Sequence, residues 1–232
     1  CLACHGDPNI GKSDAAGVRS LYVTGLDRTA HRENTCVECH VDFNYHDQPD
    51  ATPIWRVNAG LACAGCHEDT DKEDQAEIAS MWSESIHGKL IAEGDYTSAT
   101  CASCHGGHSI ARLDTPAAEN QMHLASEQMC SPCHLSEWDN YNDYYHGRAY
   151  KRGAMDAPAC WDCHGSHETL EVADPESLVY PTNAVDTCGT EGCHWGSGDS
   201  FIEAGAYLIH GRYEVQEANP VIRWWRSVRG RG

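Results

Sequence analysis

The sequence predicts a mainly α-helical chain with extensive irregular loops and little or no β-sheet. Three observations lead to this fold class. The 232 residues include only two Phe but fourteen Cys and fifteen His, short helical patterns alternate with turn-rich stretches, and one cysteine motif recurs along the chain. A chain so poor in large apolar side chains needs another group to complete its core.

A pair of cysteines followed directly by a histidine occurs seven times. Six copies read CxxCH, and the last, CGTEGCH, has two additional residues between its cysteines. The cysteines are Cys1, Cys4, Cys36, Cys39, Cys63, Cys66, Cys101, Cys104, Cys130, Cys133, Cys160, Cys163, Cys188 and Cys193, and the histidines are His5, His40, His67, His105, His134, His164 and His194. All fourteen cysteines fall in these motifs.

The motif has a chemical explanation. Two thiols at this spacing add across the vinyl groups of a haem, and the adjacent imidazole then binds the iron as proximal ligand. We therefore expect seven covalently attached c-type haems (heme c). Disulfides, structural zinc and iron–sulfur clusters also use paired cysteines, but none requires the following histidine. For the seventh motif, the alternative is a local disulfide beside an idle histidine.

Eight further histidines are candidates for the distal iron ligands. They are His31, His46, His87, His108, His123, His146, His167 and His210. Seven irons need at most seven of them, so one is surplus. Two imidazoles per iron predict low-spin, low-potential haems with no open coordination position. The four methionines occur in no repeated context, and we assign them to packing.

An internal repeat relates residues 85–110 to residues 144–169 with one constant offset. The repeat aligns His87 with His146 and His108 with His167, which indicates a modular array. The second pair of histidines lies three residues after a proximal histidine. Because such a tether spans at most about 10 Å, it cannot pass around its own haem. Each of these two is expected to bind the iron of a neighbouring haem.

Each His-Gly of the repeat lies near the end of a short helical pattern with an apolar stripe. In the first copy the stripe is Ile78, Trp82, Ile86 and Leu90, with Gly94 as C-cap; in the second it is Trp138, Tyr141 and Tyr145, with Ser136 and Asp139 as a capping box and Gly153 behind. These stripes are predicted to pack as core, against porphyrin.

The motif spacing divides the chain into an N-terminal three-haem segment, residues 1–75, and a repeat-containing four-haem segment, residues 76–232. The second segment ends in a basic, aromatic tail that contains Trp224 and Trp225. Such a tail is either disordered or an anchor for a partner subunit or a membrane interface.

The charge and the motifs together restrict partners and compartment. A formal charge of -19 argues against nucleic acid as a partner. No stretch of the chain is apolar over enough residues to predict a transmembrane segment. Covalent haem attachment takes place outside the cytoplasm, which predicts a periplasmic or extracellular protein.

These motifs resemble the multihaem cytochrome c families with doubled CxxCH motifs, in which an HG helix precedes CxxCHGxH. The resemblance is strongest over residues 76–212. It implies a chain wrapped around a closely packed haem array that passes electrons between redox partner proteins, such as a quinol-oxidising membrane module or other multihaem cytochromes. Extracellular cytochrome filaments are similar in ligation and haem density, and some complete a haem site with a histidine of the next subunit.

The sequence favours an electron carrier in respiratory or extracellular electron transfer, with no catalytic residue, over an enzyme. The first alternative is a subunit of a polymeric filament, with a haem site completed across the subunit junction. The second is a multihaem reductase of a small oxyanion or nitrogen compound, which requires one open haem. Multihaem nitrite and hydroxylamine enzymes commonly carry one modified site, whereas every motif here is followed by histidine.

Overall fold

The computed structural model describes residues 1–14, 17–42, 52–68, 73–206 and 208–210. His46 and the basic tail lie outside the described residues. Within them the chain consists of short helices and loops with one two-stranded hairpin, which confirms the mainly helical class and the near absence of sheet. In the hairpin, β1 (Gly11–Asp14) and β2 (Gly17–Ser20) run antiparallel, with Gly11 opposite Ser20.

The helices are short, and most lie in or beside a cysteine motif. In the described residues they are α1 (Leu2–His5), α2 (Cys36–Cys39), α3 (Pro53–Leu61), α4 (Ala64–His67), α5 (Glu73–Glu84), α6 (Ile86–Ala92), α7 (Cys101–His105), α8 (Pro116–His123), α9 (Ser126–Met129), α10 (Leu135–Asn140), α11 (Gly147–Tyr150), α12 (Cys160–His164), α13 (Ala184–Cys188) and α14 (Asp199–Ala206).

Two compact units make up the chain, Cys1–Glu119 and Asn120–Gly232. The first unit holds the first four cysteine motifs, and the second holds the last three. The sequence suggests a division after residue 75, which is based on how the motifs are grouped and not on contacts in the fold. That division stays a prediction.

The side-chain core is small in both units. In the first unit, Val57 is the one buried apolar side chain among the described residues. In the second, Tyr141 and Tyr150 pack with two buried alanines. Both tyrosines are tied to backbone: the Tyr141 hydroxyl donates to the Pro158 carbonyl at 2.7 Å, and the Tyr150 hydroxyl donates to the His123 carbonyl at 2.6 Å. A folded unit of this size normally buries far more apolar surface than this.

The internal repeat is visible in the backbone. A glycine with a positive φ follows each HG helix, as predicted for a left-handed helix end. Gly94 lies two residues after the end of α6 with a φ of +99°, and Gly153 lies three residues after the end of α11 with a φ of +86°. The glycines directly after the CxxCH helices also match, with φ of +77° at Gly106 and +79° at Gly165. The two copies therefore share their local fold as well as their histidines.

Two of the predicted helix boundaries are wrong. The stripe before the first His-Gly is divided between α5 and α6, because Ser85 takes an extended conformation and its hydroxyl caps the second helix at the Gly88 N–H. In the second copy, Ser136 lies inside α10 and does not cap it, since the helix begins at Leu135. The helix then ends at Asn140, so Tyr145 lies beyond it and is exposed.

The glycine of each HG pair is packed against the preceding segment. A Cβ at Gly88 would overlap the carbonyl oxygen of Trp82, and a Cβ at Gly147 would overlap that of Tyr141. Both glycines are buried. The close approach explains why glycine follows the histidine in both copies.

Gly147→Ala is expected to lower the free energy of unfolding by about 1–3 kcal/mol, because the added methyl group must displace backbone. A guanidinium titration of the holoprotein followed by circular dichroism measures this. Gly198→Ala is the matched control: a Cβ there meets nothing within 4 Å, and we expect a change of no more than about 0.5 kcal/mol. Equal effects of the two substitutions would contradict the packing argument.

Among the described residues, none of the helices is both long enough and apolar enough to cross a membrane.

Candidate metal centres formed by paired histidines

The cysteine motifs share one backbone hydrogen bond, in which the histidine N–H donates to the carbonyl of the first cysteine. The distances are 2.8 Å for His5 to Cys1, 2.9 Å for His40 to Cys36, 3.0 Å for His67 to Cys63 and 2.9 Å for His134 to Cys130. The fourth and sixth motifs each form one helix, α7 and α12. Each motif is thus a single helical turn that brings the histidine back next to its first cysteine.

The expanded seventh motif closes in the same way. The His194 N–H donates to the carbonyl of Cys188 at 3.1 Å, although five residues separate the two positions. The two additional residues are taken up by a turn in which the Cys193 N–H donates to the Thr190 carbonyl at 3.0 Å. Neither cysteine is in a disulfide. The two additional residues therefore leave the hydrogen bond between the histidine and the first cysteine unchanged.

In each unit, the first cysteines of two consecutive motifs interact with each other. The thiol of Cys63 is hydrogen-bonded to that of Cys101, which raises the pKa of Cys63 and lowers the pKa of Cys101 to about 7. In the second unit the thiol of Cys130 lowers the pKa of Cys160 to about 7. A lowered pKa favours the thiolate, which is the nucleophilic form. All fourteen cysteines are free thiols.

In the described part of the chain, four imidazole pairs place a motif histidine next to a second histidine, with 41° to 88° between the ring planes. Their ring centroids are separated by 6.0 Å for His31 and His67, 6.1 Å for His40 and His108, 5.8 Å for His146 and His194, and 6.1 Å for His164 and His210. Each pair joins one motif histidine to one of the eight other histidines. Two imidazoles that bind one metal ion from opposite sides at about 2 Å have centroids about 6 Å apart.

The paired imidazoles fit a haem iron. The porphyrin supplies four nitrogens, so the iron takes two further ligands, one on each face. No group of three or more His, Cys, Asp or Glu that could hold a metal ion is present among the described residues. Facing pairs of imidazoles, each beside two free thiols, are the donor set that a covalently attached haem requires.

His108 lies next to the histidine of a motif other than the one that it follows in the sequence. It lies three residues after His105, yet its ring faces His40 of the second motif. The segment from His105 to His108 therefore joins two motifs of the first unit.

Neighbouring groups orient several of the rings. The Nδ1 atom of His5 lies 2.9 Å from the carbonyl oxygen of Leu21, and Nδ1 of His146 lies 3.1 Å from a carboxylate oxygen of Asp143. In each case Nε2 is the nitrogen left for a metal. The His40 ring stacks on Trp55 at 5.0 Å with 7° between the planes, and burial lowers the pKa of His40. A neutral imidazole is the form that binds a metal ion.

Sequence reasoning missed Asp143 and Trp55. A signal for the first was present, because an acidic residue stands three positions before the histidine of both HG pairs, at Glu84 and Asp143. No sequence signal identified Trp55, since its contact with His40 is made only in the folded chain.

His123 differs from the paired histidines. Its Nε2 lies 2.9 Å from the carbonyl oxygen of Ala157, and its Nδ1 lies 3.9 Å from the Asp162 carboxylate. The ring also packs edge-on against Tyr150 and Trp161. Both ring nitrogens of His123 therefore face protein oxygen atoms, and its role as an iron ligand stays a prediction.

The other candidate residues are placed less completely. His87 lies half-buried in α6 and His167 half-buried after α12, whereas His105 and His134 are exposed at the ends of their motifs. All four make contacts within the protein. Their role as iron ligands stays a prediction, as does that of His46.

Large apolar side chains are exposed inside and beside the motifs. They include Leu2, 57 % exposed, Leu135, 60 % exposed, and Trp195, 78 % exposed. The first lies between the cysteines of its motif, and the other two follow the motif histidine directly. Apolar side chains at these positions are available to pack against an apolar group held at the motif. A porphyrin attached to the adjacent thiols has the required character.

No protein-family model, no curated protein and no solved structure matches this chain.

Proposed function

We propose that this chain is an electron-transfer protein that carries seven covalently attached c-type haems, each held by one cysteine pair and its motif histidine. Distal histidines complete the iron coordination. His46, His87 and His167, together with the four paired candidates, make up the seven distal ligands, and His123 is the surplus residue. The protein has no substrate chemistry of its own.

The observation that carries the proposal is the set of four facing imidazole pairs. The cysteine motif requires only the proximal histidine, so it does not explain why a second imidazole lies opposite. A ring-to-ring distance of about 6 Å leaves room for one metal ion between the two nitrogens. Structural zinc is a poor alternative, because it binds four protein ligands in a tetrahedron.

Contacts between neighbouring motifs support electron transfer. In the second unit the fifth and sixth motifs meet at Cys130 and Cys160. The sixth and seventh are neighbours as well, since burial and then the charge of nearby Cys188 raise the pKa of Cys163 to about 12. Porphyrins bonded to neighbouring sulfur atoms have neighbouring edges. We infer the order five, six, seven for the haems of this unit.

The first unit has a comparable arrangement of its second, third and fourth motifs. The third and fourth meet at Cys63 and Cys101. Burial and then the charge of Cys63 raise the pKa of Cys39, which places the second motif beside the third. His108 ties the fourth motif to the second. These three haems are expected to be mutual neighbours.

The residues have distinct roles in such a protein. When bound, the haem supplies an iron that accepts and releases one electron. The cysteines would hold the edge of the porphyrin, and the paired imidazoles would bind its iron. An iron with two imidazoles stays low-spin at low potential and offers no place for a substrate. The exposed apolar side chains beside the motifs exclude water from the porphyrin faces.

Location and partners follow from the same chemistry and are part of the proposal. Haem attachment outside the cytoplasm places the protein in the periplasm or outside the cell. Its partners are other redox proteins, such as a quinol-oxidising membrane module or further multihaem cytochromes.

The proposal predicts that the purified protein exceeds the mass of its polypeptide by seven haems. Intact-mass spectrometry under denaturing conditions measures this, because thioether-linked haem stays attached. Changing both Cys188 and Cys193 to alanine should reduce the number to six, since the seventh motif closes like the others. A variant that still carries seven haems would show that CGTEGCH is not a haem site. A mass equal to that of the polypeptide alone would overturn the proposed function.

Three further measurements separate the carrier from the alternatives. Reversible reduction of all haems at low potential, with low-spin spectra throughout, supports electron transfer. Electron microscopy of the purified protein distinguishes a discrete carrier from a filament. Carbon monoxide binding by the unaltered protein would indicate an open haem and favour a reductase.

A further inference from the structure

A single carboxylate organises the segment that presents His146 to His194. One oxygen of Asp143 accepts hydrogen bonds from the N–H groups of Tyr145, at 3.1 Å, and His146, at 2.9 Å. The other accepts from the N–H of Gly147 at 3.0 Å. The Asp143 side chain is 15 % exposed. Three peptide donors on one shielded carboxylate are enough to stabilise it as an anion.

The same carboxylate touches the imidazole. Its Oδ1 lies 3.1 Å from Nδ1 of His146, and the ring of His146 faces that of His194 at 5.8 Å. Three backbone N–H groups already donate to this carboxylate, which can only accept when it is ionised. Nδ1 of His146 is therefore the donor to Asp143, and Nε2 is the nitrogen left to bind a metal ion.

In the first copy of the repeat, an uncharged side chain caps the HG helix. There the N–H of Gly88 donates to the hydroxyl of Ser85 at 3.2 Å, whereas the N–H of Gly147 donates to the carboxylate of Asp143. A hydroxyl is thus sufficient to begin the HG helix. The carboxylate of the second copy adds a negative charge beside the imidazole, which capping alone does not require.

We propose that Asp143 positions the distal imidazole of the seventh site and lowers the reduction potential of the iron held there. This inference depends on the haem function proposed above. A carboxylate that accepts the Nδ1 proton makes an imidazole a stronger donor, and a stronger donor stabilises the oxidised metal. His5 offers a contrast, because its Nδ1 faces the uncharged Leu21 carbonyl. The seventh haem is accordingly a low-potential site of the second unit.

Asp143→Asn tests the role, with Asp139→Asn as control for the loss of one charge. Asp139 is exposed on α10, in the same stretch of chain. A potentiometric titration of the holoprotein, followed by visible absorption, resolves components that each hold one-seventh of the haem. We expect one component to move to higher potential in Asp143→Asn and none to move in Asp139→Asn. All haems should stay low-spin.

Unchanged potentials in Asp143→Asn, or equal shifts in both variants, would overturn the inference. If the asparagine variant fails to retain its haems, Asp143→Ser gives the same comparison, because a serine hydroxyl is also an uncharged hydrogen-bond acceptor. A serine variant that assembles with unchanged potentials also counts against the inference. Failure of the proposed function is recognised separately, since the unaltered protein would then contain no covalent haem.

Discussion

His108→Ala is expected to open one iron in seven, so that the fully reduced protein binds carbon monoxide at one haem. In the unaltered protein the His108 ring faces His40 at 6.1 Å and, under the proposed function, fills the sixth coordination position of the second haem. The side chain is exposed, so its removal costs little packing. The measurement is the change in the visible spectrum on adding carbon monoxide, scored against total haem.

His123→Ala is the matched control for this experiment. It removes an imidazole from the other unit, but its ring nitrogens face the Ala157 carbonyl and the Asp162 carboxylate. We expect a loss of stability and no carbon monoxide binding. The assignment fails if His123→Ala opens an iron, or if His108→Ala leaves every haem six-coordinate.

The chain without haem is expected to be unfolded. Among the described residues of the first unit, Val57 is the one buried apolar side chain. Burial of one such side chain stabilises by about 1.5–3 kcal/mol, whereas ordering the backbone costs about 1–2 kcal/mol for each residue. Without the porphyrins, the exposed apolar side chains beside the motifs have nothing to pack against.

Expression in a host compartment that does not attach haem provides the haem-free chain. Reducing conditions are needed, because fourteen free thiols would otherwise form disulfides. The expected result is narrow dispersion in the amide NMR spectrum and no cooperative thermal transition, whereas the holoprotein melts cooperatively. A well-dispersed spectrum of the haem-free chain would show that the protein side chains alone specify the fold.

The cysteine motifs could be recognised from sequence because their geometry is local. A histidine next to the second cysteine returns to the first cysteine within one helical turn, and this hydrogen bond recurs from His5 to His194. Even the expanded seventh motif keeps it, since the additional residues fold into their own turn. The positive φ at Gly94 could be predicted for the same reason, as a helix end depends on few neighbours.

Helix boundaries were predicted less well, because competing caps decide them. The apolar period from Ile78 to Leu90 continues through Ser85, but the serine hydroxyl satisfies the Gly88 N–H and begins a new helix. In the second copy, Ser136 lies one residue inside a helix that its sequence context suggested it would start. Periodicity predicts which face of a helix is apolar. It does not predict which polar side chain accepts hydrogen bonds from the backbone N–H groups at the start of a helix.

The sequence by itself determined the local chemistry: the fourteen cysteines, the seven motif histidines, the mainly helical class and the count of eight further histidines. Only the tertiary structure decided which imidazole faces which, because the partners lie tens of residues apart and no local rule relates His31 to His67 or His164 to His210. It also separated His123 from the paired histidines and placed Asp143 behind His146. The physical reason is that covalent spacing controls contacts within a turn, whereas facing rings depend on how distant turns pack together.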